Sequence, residues 1–293
     1  MAKTQPNTPL YQAKNRFRDH LSASGRATAT LLAYTKDIDQ LVEFVAKDSK
    51  TTPAQITTDD INRFKAALNE DNYTAKSISR KINSIKSFFR FLQGHGELEN
   101  NPANQVTHPK YELKPPRVLT KVEYRALRDA ARNDVRISAI VELLLQTGIR
   151  IGELANLELD DLDLNKNKID IRPYESHQAR NIPLNIAAKE SLERYIKDRP
   201  RTNVKNVFVT KTGNKFLVRN IRSSIDRFFR LAGIDNARVN DLRHTFIAHQ
   251  LMSGTPLIYV SKLAGHKRLS TTEKYLEVVK DKIDKEKPKL EEL

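Results

Sequence analysis

The chain has 293 residues, of which 39% are hydrophobic, a formal net charge of +15 at pH 7 and no cysteine. That length exceeds one ordinary core and predicts two domains, and the charge predicts a polyanionic partner, nucleic acid above all. Without cysteine, disulfides, thiolate zinc sites and cysteine nucleophiles are excluded. No run reaches the roughly 18 apolar residues that a membrane crossing needs, and the polar stretch Met1 to Asn7 has no signal-peptide core, so a soluble, cytoplasmic protein without a membrane partner is expected.

Residues 10 to 100 carry apolar residues at helical spacing. Leu10, Ala13, Phe17 and Leu21 form one stripe, Leu31, Ile38, Leu41 and Val45 a second, and Ile61, Phe64 and Leu68 a third. From the N-cap Thr74 to the terminator Gly94, Ile78, Ile82, Ile85, Phe89 and Leu92 share one face. The opposite face carries Lys76, Arg80, Lys86 and Arg90 with Ser79, Asn83, Ser84 and Ser87 but no acid, a pattern suited to contacting DNA phosphates without repulsion, although an ordinary solvated face has the same composition. Pro102, Pro109, Pro115 and Pro116 then mark an extended connector. The expected organisation is a helical DNA-binding domain over 1–105, a linker over 106–118, a mixed α+β, mainly helical domain over 119–278 and a charged tail over 279–293.

In the second half, Thr120 and Glu123 are spaced as a capping box. Lys168 to Ile171 and Asn181 to Leu184 read as strands flanking a loop, Asn206 to Thr210 with Gly213 as a further hairpin, and helices resume from Val218. The chemistry gathers in three short segments. Arg150 lies in Thr147-Gly148-Ile149-Arg150-Ile151-Gly152-Glu153-Leu154 and Arg243 in Asp241-Leu242-Arg243-His244-Thr245-Phe246. Two permanently charged guanidinium forks suit the non-bridging oxygens of a phosphate undergoing transfer. Glu153, three residues after Arg150, is placed to orient its guanidinium, or else forms a surface ion pair. Leu263-Ala264-Gly265-His266 is followed nine residues later by Tyr275, whose hydroxyl can act as a covalent nucleophile at phosphorus when cations stabilise its phenolate. His266 is suited to hydrogen-bond the phosphate or to manage the tyrosine proton. Ser270 and Glu273 are spaced as a capping box, which puts Tyr275 in the first turns of a short helix.

These three segments, in this order and spacing, resemble the arginine boxes and terminal histidine-tyrosine box of the tyrosine recombinases, the group of phage integrases and Xer proteins. The resemblance covers about Leu119 to Val278. It implies transesterification through a 3′-phosphotyrosyl link with a free 5′-hydroxyl, no cofactor and no metal, a C-shaped clamp around double-stranded DNA, a homotetramer on paired recombination sites, and a tail that docks on a neighbouring subunit. In agreement, the sequence holds no Walker loop and no zincin helix, and His244 and His249, five apart, diverge by about 140° on a helix.

Two positions depart from the family. Asn240 stands where most members carry a histidine, and an amide cannot exchange a proton near neutral pH. The loop between Asp170 and Leu184 lacks the usual lysine general acid; it offers Arg172, His177 and Arg180, of which only His177 has a suitable pKa, with Lys211 and Lys215 further away. The leading expectation is a site-specific recombinase working in integration, excision or resolution. The alternatives are a DNA-binding relative with weak or lost catalysis, which the two departures motivate, and a type IB topoisomerase-like enzyme.

Overall fold

The computed structural model describes residues 8–112, 114–175 and 177–283, and divides into two compact units at residues 113 and 114. The first unit is built from α1 (Pro9–Ala23), α2 (Thr28–Ala46), α3 (Thr58–Glu70) and α4 (Ala75–Gly94). The side chains of Thr8, Thr57 and Thr74 cap α1, α3 and α4 by accepting from their first-turn amides. The apolar stripes meet in one core of Leu10, Phe17, Ile38, Leu41, Ile61, Ile82, Ile85 and Phe89, extended beyond the last helix by Ala103 and Val106. Those two residues lie close against or within the stretch read as linker and are nonetheless fully packed.

The basic face of α4 is less uniform than its sequence suggests. Ser79 and Ser84 are buried, and so is Lys81. Asp37 of α2, itself 1% exposed, pairs with Arg80 and Lys81 and accepts from the Ser84 hydroxyl. The expectation of an acid-free stripe is therefore corrected at Arg80. The acid is absent from the helix but arrives from its neighbour, because a buried lysine needs a counter-charge. Lys76 and Arg90 are exposed and Lys86 is half-buried.

The second unit begins with α5 (Lys121–Ala131), opened by the Thr120–Glu123 capping box, followed by α6 (Val135–Thr147) and α7 (Ile151–Asn156). An antiparallel sheet in the order β1 (Leu162–Asp163), β2 (Lys168–Ile171), β3 (Arg180–Pro183) precedes α8 (Ile186–Asp198) and α9 (Val218–Leu231). The last helices are α10 (Val239–Met252), α11 (Leu257–Ala264), α12 (Ser270–Glu273) and α13 (Leu276–Ile283). The third strand starts one residue earlier than its alternation suggests, with Ile171 paired to Arg180. The expected hairpin after Asn206 is reduced to single bridges, Glu158 to Asn206 and Val209 to Lys215. Arg199 explains this, because its guanidinium donates to the carbonyls of Val204, Asn206 and Val207 and satisfies acceptors that a strand ladder would otherwise use.

α10 is the central helix of this unit. It buries Val239, Leu242, Thr245, Phe246, Ile247, Ala248 and Leu251 around most of its circumference, and so it also carries Arg243 into the interior at 5% exposure. It packs on α6 and α13. No described helix is long and apolar enough to cross a membrane.

Candidate active site

Arg150 is placed by a helix break. α6 ends at Gly148, whose φ of +60° is a left-handed cap, and a Cβ there would stand 2.3 Å from the Phe246 ring. The chain turns and restarts with Arg150 as N-cap of α7, whose amide donates to Glu153 Oε2 at 3.0 Å. Glu153 thus caps α7 as well as touching the Arg150 guanidinium, and at 4% exposure it is no surface ion pair. It also accepts from Arg150 Nη1 at 3.1 Å, while Arg150 Nη2 donates to the Gly265 carbonyl at 2.7 Å.

Arg243 donates to the carbonyls of Gly148 and, at 2.6 Å, of Ala264. Both arginines thereby grip backbone that the sequence boxes themselves supply. Gly265 also has positive φ, +64°, and a Cβ on it would lie 2.9 Å from Arg180 Nη1 and 3.1 Å from Arg150 Nη1. Only glycine lets that turn approach two guanidinium groups so closely.

His266 follows immediately, with Nδ1 2.7 Å from the hydroxyl of the fully buried Thr272. The Tyr275 ring lies nearly parallel to the His266 ring at 6.4 Å between centroids and edge-on to His244 at 5.9 Å. Tyr275 does not sit inside a capped helix as its spacing suggests. Leu269 precedes α12 in helical conformation with no side-chain cap, and the tyrosine occupies the turn between α12 and α13. The Tyr275 side chain is buried, at 5% exposure.

His177 lies in the β2–β3 loop, bridged to Tyr174, with its Nδ1 buried and without a hydrogen-bond partner among the described residues. The other basic groups of that loop are committed. Arg172 pairs with Glu158 and Asp161, and Arg180 with Glu153. Lys215 donates to Asn156 at 2.7 Å, and Lys211 lines a separate pocket with Asp134 and Asp198. Asn240 is exposed, and its amide lies 3.0 Å from His244 Nε2, one turn along the same helix.

The cluster is strongly electropositive. Burial first, then the charge of Arg150, lowers the Arg243 pKa to about 9, and burial also lowers that of Arg150. Burial followed by Arg243, Arg150 and Arg180 pushes His266 down to about 3, and His177 is lowered by burial, Arg150 and Lys267 among others. Burial raises the Tyr275 phenol, against the opposing pull of Arg243. Glu153 goes the other way, to about 2, because hydrogen bonds and charges from Arg180 and Arg150 outweigh its burial. Three arginines therefore face one carboxylate, and the uncompensated positive charge makes an anion site. Beside it opens a groove of about 850 Å³ lined by Lys168, Arg180, Tyr259, Lys262, His266 and Lys267.

Sequence reasoning weighs Arg180 only as a poor proton donor and passes over Gly148, Gly265 and Thr272 as parts of the site. The glycines had a signal, since each stands directly after a helical stretch, Gly148 two residues before Arg150 and Gly265 directly before His266. It also leaves out the exposed Arg219, Arg222, Arg227 and Arg230 on α9, opposite the buried Ile221, Ile225, Phe228 and Phe229. None of the described residues forms a cluster of three or more potential metal ligands.

Comparison with known proteins gives consistent matches. Residues 117–282 match the model of the phage integrase family, and residues 15–96 match that of the phage integrase N-terminal SAM-like domain. A tyrosine recombinase XerC from Oceanobacillus iheyensis is 30% identical over 280 residues, covering 90% of this chain and 91% of the relative. Another XerC, from Thermodesulfovibrio yellowstonii, is 30% identical and covers 93% of each. Among solved structures, a lambda integrase dimer bound to a COC′ core site superposes with a TM-score of 0.74 at 18% identity, covering 89% of this chain and 96% of that one. XerA recombinase superposes with a TM-score of 0.55 at 27% identity, covering 96% and 100%.

Proposed function

Because the chain belongs to the phage integrase family and is a tyrosine site-specific recombinase, we propose that Tyr275 is its nucleophile and that Arg150, Arg243 and His266 hold the scissile phosphate of double-stranded DNA. The observation that carries this reading is the convergence of the three sequence-distant boxes on one buried, uncompensated positive cluster beside the Tyr275 ring. Burial keeps the phenol neutral in the free protein, so its proton passes to water as the oxygen attacks phosphorus. The phenolic oxygen forms the new bond to phosphorus, the bond to the 5′-oxygen breaks, and that oxygen takes a proton to become a hydroxyl. The phosphodiester is conserved as a 3′-phosphotyrosine, and attack by a partner strand's 5′-hydroxyl reverses the step.

With its pKa near 3, His266 is neutral and serves as an N–H donor to phosphate rather than as an acid. His177 is the proposed donor to the 5′-oxygen, supported by its place in the β2–β3 loop and by its buried Nδ1, which has no hydrogen-bond partner among the described residues; burial and the charges of Arg150, Lys267 and Arg243 lower its pKa and oppose that role until a bound phosphate offsets them. Asn240 exchanges no proton near neutral pH, and its amide lies within hydrogen-bond distance of His244.

Lys76, Lys86 and Arg90 of α4 are the proposed backbone contacts of the first domain, with the exposed arginines of α9 as further candidates in the second. The working assembly is proposed to be a homotetramer on paired sites; a lambda integrase tetramer bound to a Holliday junction, with a TM-score of 0.72 at 19% identity, shares the fold. The tail beyond Val279 is proposed to make an intersubunit contact, and residues 284–293 lie outside the described residues. Removing 281–293 is expected to weaken assembly on paired sites more than half-site binding, and unchanged assembly in a mobility-shift titration rejects that role. For the nucleophile, Tyr275→Phe is expected to bind a half-site normally and form no covalent adduct on a nicked suicide substrate. Adducts surviving in that variant would overturn the assignment.

A further inference from the structure

We propose that Arg180 is a positioning residue of the recombination reaction, acting through Glu153 and the Leu263–Gly265 turn to keep the Arg150 guanidinium free for the scissile phosphate. The inference rests on the reading of Arg150 as a phosphate ligand.

Arg180 is the first residue of β3, yet its side chain is 6% exposed and turned into the cluster. Nη1 and Nη2 donate to the two oxygens of Glu153 at 2.8 and 2.7 Å, and Nε donates to the Leu263 carbonyl at 2.8 Å. One guanidinium thus ties together α7, which Arg150 caps, β3, which starts three residues after His177, and the end of α11, two residues before His266. A planar fork holds a carboxylate edge-on by two parallel hydrogen bonds and keeps a third donor fixed in the same plane; an ammonium has three donors but no such fixed plane.

The competition for Glu153 gives the arrangement its function. A buried carboxylate beside a single arginine would draw it into a two-pronged pair and cancel its charge. Here Arg180 occupies both carboxylate oxygens, and Arg150 keeps one side-chain contact to Glu153, at 3.1 Å, and one to Gly265, leaving further N–H groups uncommitted. The spacing of the two guanidinium groups is set by Gly265, whose Cα passes so close that an added Cβ would meet both. Loss of Arg180 would therefore shift Arg150 toward Glu153 and release the Leu263 carbonyl that holds the turn before His266.

The test is single-turnover cleavage of a suicide half-site by R180K and R180Q, alongside half-site affinity, thermal melting and the reference variant R150A. The expected result is adduct formation slowed roughly 10- to 100-fold, since displacements of up to about 1 Å at a reacting centre have that effect, with affinity held within about twofold. In an E153Q background, where no buried carboxylate is left unpaired, R180Q should cost less than about threefold more, because both changes break one linkage. Parental rates in R180K and R180Q, a fall in affinity matching the fall in rate, or fully additive losses with E153Q would each overturn the proposal. If R150A itself cleaves normally, the reading of Arg150 fails, which is a separate outcome.

Discussion

Replacing Gly265 with alanine isolates what the approach of the turn to the arginines is worth. Two costs follow from the geometry. The backbone must stay at a φ of +64°, which disfavours an L-residue by roughly 1–2 kcal/mol. In a unit of this size each kcal/mol lowers Tm by about 2–4 °C, so a drop of about 2–8 °C is expected. The new methyl would also stand 2.9 Å from Arg180 Nη1 and 3.1 Å from Arg150 Nη1, where ordinary contact begins at 3.4 Å. The Arg180 guanidinium must therefore retreat by about 0.5 Å and that of Arg150 by about 0.3 Å, and at about a hundredfold per ångström of misplacement the cleavage step should slow roughly four- to tenfold. Gly233→Ala is the matched control, because its φ is +68° and nothing lies within 4 Å of the added Cβ. Both variants should melt earlier by similar amounts, and only Gly265→Ala should lose rate in a single-turnover suicide-substrate assay. Equal rates in the two variants would refute the argument that arginine position limits the reaction.

For the proton donor, His177→Ala should cleave ordinary DNA slowly and a 5′-bridging phosphorothiolate substrate at nearly the parental rate, since sulfur leaves without a proton; equal impairment on both substrates eliminates His177. The depressed His266 pKa has a definite sign: between about 3 and 6.5 the unfolded chain binds the proton that the folded chain refuses, so this residue makes stability rise with pH across that window. Urea denaturation at pH 4.5 and 7 should show a smaller difference for His266→Gln than for the parent, and an unchanged difference contradicts the assignment. Among the α4 residues, Lys76→Ala, Lys86→Ala and Arg90→Ala should each flatten the dependence of log affinity on log salt by about one unit if they touch phosphate, whereas Arg80→Ala should destabilise the helical domain instead, because Asp37 holds it. Unaltered slopes for Lys76→Ala, Lys86→Ala and Arg90→Ala would leave α4 an ordinary solvated helix.

Local physics made the helices readable. α4 repeats apolar residues at the helical period from a threonine cap to a glycine, and each of Ile78, Ile82, Ile85, Phe89 and Leu92 is buried. The two arginines and the histidine-tyrosine pair were readable as chemistry because the residues near them in sequence are also near them in space. What escaped depends on partners far along the chain. Arg80 and Asp37 are 43 residues apart, and Arg180 and Leu263 are 83 apart, so neither contact leaves a periodic trace. The first strand has two residues, too short for alternation to register. The hairpin expected after Asn206 failed because alternation reports burial of side chains and says nothing about which donor reaches the carbonyls, and here Arg199 does.

The same charges that create the anion site also hold its histidines deprotonated while the site is empty. His266 and His177 are both lowered by burial together with Arg150 and Arg243, and His266 by Arg180 as well. A phosphate bound between the arginines would cancel much of that field, and through the same Coulomb terms would raise the proton affinity of both imidazoles. Proton donation to the leaving 5′-oxygen would then be available chiefly when DNA is in place. On this argument the absence of a lysine from the β2–β3 loop has a physical counterpart. A lysine starts from a pKa of about 10.4 and keeps its proton through a larger downward shift, whereas a histidine starting at about 6.5 beside Arg150, Lys267 and Arg243 acquires its proton most readily once a phosphate has entered.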